Sequence, residues 1–161
     1  MTGFAEELPR ADELMAALNW NATFGAIGGN VPDQLDLQLN RVGRLFTLTD
    51  ANMQSTVDQP FTKNGTFATY VVTKVIARWK SGGTTVACAG GIYTGANKTG
   101  NAIVALTQSW LALSVAGKIV DATLAAIVST DEQTANVFLS LTTGSTAAAT
   151  ADFFIYGMAI N

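Results

Sequence analysis

The chain has 161 residues, 48% of them apolar and 13% charged, with a net charge of −3, a single cysteine and no histidine. The charge content is about half the roughly 25% of an ordinary soluble domain. Neither half carries clustered Lys and Arg, which argues against a nucleic-acid partner, and the missing histidine removes the commonest proton shuttle and metal ligand.

The charge is unevenly spread, net −5 over residues 1–60 and net +2 over residues 61–161, so an acidic arm (1–60) is expected to precede a separate body (61–161). The opening MTGFAEELPRADE is acidic where a secretory leader would be basic and then apolar, so no leader is expected. A short helix is predicted next. Pro9 suits a first turn, Asp12 and Glu13 suit the positive end of the helix dipole, and Ala11, Leu14, Met15 and Leu18 form one apolar stripe. A helix of about three turns is marginal by itself, so the stripe needs a partner. Trp20, Phe24 and Ile27 then sit among Asn and Gly, and Met15, Leu18, Trp20 and Phe24 are read as anchors for an external surface.

From Asp33 the period changes to two. Leu35, Leu37 and Leu39 alternate with Asp36 and Gln38, and NRVG leads into RLFTLTD, which predicts a hairpin with one wet face. The looser stretch ANMQSTVDQPFTKNG places the domain boundary near Phe61. Seven strand-like runs follow, over 66–80, 84–94, 101–107, 110–115, 118–127, 135–142 and 151–160. In the first, Val71, Val75, Ala77 and Trp79 fall on one face and Lys74, Ile76, Arg78 and Lys80 on the other. In the last, Phe153 and Ile155 oppose Phe154 and Tyr156, so both faces are apolar and the strand is either central or at a subunit contact. Turn chemistry at SGG and TGANKTGN separates the runs, and the spacing predicts an antiparallel sandwich, jelly-roll-like.

Chemistry is sparse. From Ser81 onward the charged residues are Lys98, Lys118, Asp121, Asp131, Glu132 and Asp152. GGIYTGANKTG resembles a phosphate loop, but Asn97 stands where glycine must precede the lysine, so a hairpin turn is the better reading. The pairs Asp33/Asp36 and Asp131/Glu132 lack the ligand spacing of a calcium loop. No G-x-S-x-G or S-x-x-K element supports a hydrolase. Cys88, in TTVACAGG, reads as a buried thiol. Trp79, Tyr93, Trp110 and Tyr156 are alternatively core packing or a sugar-stacking platform. No cofactor or metal is called for, no run of about 18 apolar residues predicts a membrane span, and an enzyme is not expected.

The runs VVTKVIARWKSGGTTVACAGGIYT, NAIVALTQSW and NVFLSLTTGSTAAATADFFIYGMAI, behind an acidic, anchor-bearing arm, resemble the small head decoration, or cement, proteins of tailed bacteriophages over roughly residues 70–160. The resemblance implies a non-catalytic β-sandwich virion protein, commonly a homotrimer. Such a protein sits on the capsid exterior and binds major capsid protein at subunit junctions. A tail or head-fibre component and a carbohydrate-binding module are the alternatives.

Overall fold

The structure, a computed structural model, describes residues 42–113, 118–126 and 132–160. The predicted helix, the anchors Met15, Leu18, Trp20 and Phe24, the carboxylates Asp33, Asp36 and Asp131, and the first arm of the predicted hairpin lie outside the described residues.

The described chain is mainly β. Nine strands occur in order: β1 (Val42–Asn52), β2 (Gln59–Pro60), β3 (Thr62–Lys63), β4 (Thr69–Gly82), β5 (Ala89–Tyr93), β6 (Ala102–Val104), β7 (Ile119–Asp121), β8 (Phe138–Thr143) and β9 (Ala149–Ile160). They form two antiparallel sheets, of order β3-β1-β9-β4-β7 and β2-β8-β5-β6. The pairings are nested: β1 with β9, β2 with β8, β4 with β7 and β5 with β6. Three further pairings, β4 with β9, β5 with β8 and β1 with β3, complete the sheets.

One hydrophobic core serves both sheets. Phe46, Tyr70, Val72, Val75, Phe153 and Ile155 from the five-stranded sheet join Ile92, Ile103, Val104, Leu139 and Leu141 from the four-stranded one. Phe46, Phe67 and Tyr70 meet edge to face, with centroids 4.9–5.8 Å apart, a geometry that aromatic quadrupoles favour. Trp110 stands on the edge of Phe153 at 5.1 Å and donates its indole N–H to the Gly90 carbonyl at 3.1 Å.

The structure corrects several sequence expectations. Val42 and Gly43, expected in the NRVG turn, belong to β1. Because β1 pairs along its length with β9, the sheet begins well before the expected boundary at Phe61. The run at 110–115 is not a strand over its described part. Trp110 and Leu113 are instead buried by a connection whose backbone bonds to Thr85, Cys88 and Gly90, so burial there comes from a loop. In β4 a register shift between Val72 and Lys74 changes the parity. Tyr70 and Val72 face the core with Val75 and Ala77, and Val71 turns to the other side, because an extra residue in a bulge reverses the facing of everything beyond it.

Candidate interaction face

Alternation along β9 buries Ala151, Phe153, Ile155 and Ala159 and leaves Phe154, Tyr156, Met158 and Ile160 half-buried on the opposite, outer face. Cross-strand partners share a face, so the pairings extend this surface over three neighbours. Arg44 and Lys74 flank Tyr156, Thr47 and Ile76 flank Phe154, Val42 and Val71 flank Met158, and Arg78 lies between Asp152 and Ile119. Val42 and Ile119, at its margins, are 65% and 58% exposed.

The aromatic rings on this face are not bare. The Arg44 guanidinium carbon lies 4.7 Å from the Phe154 centroid and 6.0 Å from that of Tyr156, and Arg78 lies 5.6 Å from Phe154. Each such contact contributes about 0.5–1 kcal/mol at an exposed site. The arginine stems also cover apolar area that the last strand would otherwise leave to water.

One end of the face carries a charge cluster. Asp152, only 4% exposed, accepts hydrogen bonds from Arg78 Nη2 at 2.9 Å and from the Asp50 backbone N–H at 3.1 Å. Lys80 Nζ lies 3.6 Å from it and donates to Asp50 at 2.6 Å. The second bond exists because β1 bulges between Leu48 and Ala51 with Asp50 at φ +57°, turning the Asp50 N–H toward β9. Burial by itself would raise the Asp152 carboxyl, but Arg78, the Asp50 N–H and the charge of Lys80 outweigh it and hold the group below its ordinary value. Lys80 is raised, chiefly by its bond to Asp50. At the opposite border Lys74 pairs with Asp121 at 3.1 Å, both well exposed, a pair of small net value.

The four residues considered as a sugar platform are not brought together. Trp110 is in the core and Tyr93 is buried. Half-buried Trp79 donates to the Gly83 carbonyl at 3.3 Å, and of the four only Tyr156 belongs to the outer face. The phosphate-loop-like stretch forms the turn between β5 and β6. Asn97 and Lys98 both adopt positive φ there, and the Asn97 N–H is tied to Asp58. Cys88 is buried against the Met53 carbonyl, and burial pushes its thiol up to about 11, far from the range of a reactive thiolate. Among the described residues no group of three or more His, Cys, Asp or Glu is placed to hold a metal ion, and no helix is long and apolar enough to cross a membrane.

The sequence marks Phe154 on an apolar face of the last run, but it does not single out Arg44 or the contacts of Arg44 and Arg78 with that ring. The signal that finds them is positional: a cation two pairs along from an aromatic on a neighbouring strand, visible only once the register is known. Compared with models of known protein families, with curated proteins and with solved structures, the chain matches none.

Proposed function

We propose that the two sheets are the layers of an antiparallel β-sandwich of jelly-roll type, and that the chain is a non-enzymatic structural protein of a virus particle. It is seated on the exterior of an assembled phage capsid, where it binds major capsid protein at subunit junctions as a homotrimer. The observation that carries this reading is the nested pairing of β1 with β9, β2 with β8, β4 with β7 and β5 with β6. Such nesting describes one long antiparallel ribbon whose successive rungs alternate between two sheets, and β3 is a short addition at one edge.

Jelly rolls serve in viral capsids, lectins and cupins, so the surface must choose among functions that the fold allows. A lectin needs open rings for sugar stacking, and here Arg44 and Arg78 lie over Phe154 and Tyr156. Catalysis through histidine is closed to a chain without one. A structural subunit requires only shaped, mixed apolar and charged surface for its contacts, which the outer face supplies for the trimer, while Met15, Leu18, Trp20 and Phe24 of the N-terminal segment anchor to the capsid.

Immuno-electron microscopy of purified particles, with antibody against residues 42–160, tests the proposal. Label distributed over the head exterior is the expected result. Label confined to the tail would reassign the chain to a tail component, and particles free of label would overturn the virion reading.

A further inference from the structure

The chain contains one Asn-Gly step, Asn64–Gly65, in the exposed connection between β3 and β4. Gly65 has φ +119°, and a Cβ built there would meet nothing within 4 Å. The Gly65 nitrogen has no side chain of its own residue to screen it, and no neighbouring group crowds that side of its backbone.

Asn64 is also a fastener. Its N–H donates to the Leu45 carbonyl at 2.8 Å. Its Nδ2 donates to Thr47 Oγ1 at 2.8 Å and reaches the Arg44 carbonyl at 3.5 Å. All three partners belong to β1, to which β3 is otherwise joined only through the pairs Phe46–Lys63 and Thr47–Thr62. Just beyond, Lys63 donates to the Phe67 carbonyl and lies 4.0 Å from the centre of its ring, and Phe67 packs on Phe46.

We propose that Asn64 is a self-modification site, at which spontaneous deamidation unfastens β3 from the edge of β1. The Gly65 backbone nitrogen attacks Asn64 Cγ, forming a C–N bond as the Cγ–Nδ2 bond breaks, and ammonia leaves with a proton from the Gly65 amide. Water then opens the cyclic imide at either carbonyl, leaving aspartate or isoaspartate. The sum is amide plus water to carboxylate plus ammonium. The carboxylate has no hydrogen to give to the Arg44 carbonyl. In the isoaspartate product a methylene is also added to the main chain between Cα of residue 64 and Gly65, which lengthens the connection leading on to β4. β3 is then held to the edge of β1 chiefly by the pairs Phe46–Lys63 and Thr47–Thr62, and its looser hold exposes more readily a row of backbone groups of the kind that pairs with another chain. This inference does not depend on the capsid reading.

The test ages the full chain in mildly alkaline and mildly acidic buffer, beside the same chain unfolded in urea and the variant Asn64→Gln. A gain of about 1 Da in the peptide carrying residue 64 marks conversion, and isoaspartyl methyltransferase labelling identifies isoaspartate. Conversion is expected in the folded wild type, faster in alkali, and absent at residue 64 of Asn64→Gln. Hydrogen exchange over 45–47 and 61–67 of the converted protein should be roughly tenfold faster, as the loss of about one net hydrogen bond requires. Conversion in urea with none in the folded chain would show that the contacts to β1 protect the amide, and would overturn the proposal. So would conversion that leaves exchange at this edge unchanged.

Discussion

Asp152 concentrates more polar contacts than any other side chain of the outer face, and its position follows from two local features. Alternation along β9 would aim it outward, and the Asp50 bulge and Arg78 close over it until it is 4% exposed. A carboxylate so buried is tolerable only when its lone pairs are occupied. Its folded pKa lies below the ordinary 3.8. The stabilisation it contributes is therefore complete above that value and is lost as pH falls through the lower folded value, when both folded and unfolded forms are protonated. The substitution Asp152→Asn keeps the shape and removes the charge. At neutral pH it should destabilise by about 1–3 kcal/mol, as for hydrogen bonds that lose a charged acceptor, with the half-exposed Arg78 left to water. Thermal melts of both proteins across a pH series check this. The gap between them should narrow below about pH 4, and a gap that stays constant into acid would mean that packing, not ionisation, sets the cost.

At the scale of strands, the sequence legibly marked the long runs and left their registers open. The alternation at 66–80 and 151–160 reappears as β4 and β9, because both strands lie in the middle of a sheet and must sort side chains between core and outer face. Bulges were not legible. Those in β1, after Arg44 and after Leu48, bury Leu45 and Phe46 side by side and aim Asp50 at Asp152, and no residue type announces them. Trp110 misled in the opposite sense, since a large aromatic in an apolar run reads the same whether a strand or a packed loop buries it. The candidate face suffered from both effects, as it depends on three strands in register. Within β9, Gly157 marks the tightest approach: a Cβ there would lie 1.9 Å from the Val71 carbonyl oxygen and 2.8 Å from Leu45 Cδ1. Backbone of the neighbouring strand cannot yield as a flexible side chain would, so Gly157→Ala should destabilise by about 1–3 kcal/mol or more, read by chemical denaturation. A chain begun at Leu39 should melt cooperatively, whereas one begun at Phe61 lacks β1 and should not. Equal melts would mean that β4 and the rest of the second sheet, β8-β5-β6 without β2, suffice to hold β9.

On the scale of the whole molecule, the question is how it makes contact with others. Its sheets end in β2 and β3 of two residues and β6 and β7 of three. The Gln59 side chain occupies the backbone of Asn52 from both sides, at 2.7 and 2.9 Å. Short, capped edges discourage strand addition, which leaves faces, loops and the acidic N-terminal segment. That segment carries Met15, Leu18, Trp20 and Phe24 among Gly, Asn and acids. In the proposed function these residues anchor to the capsid while the β body forms the trimer, for which light scattering should return about 50 kDa against 16.8 kDa for one chain. Burying a large apolar side chain fully contributes roughly 1.5–3 kcal/mol before ordering costs. Removing two from each arm of a trimer should therefore weaken attachment by at least about two orders of magnitude. The comparison is Trp20→Ala combined with Phe24→Ala against wild type, pelleted with undecorated heads over a range of concentrations. The doubly substituted protein should keep its melting temperature and remain in the supernatant where wild type saturates. Equal occupancy at an unchanged melting temperature would remove the arm as anchor, and would turn the search for the docking surface to the cation-covered face of β9 and its neighbours.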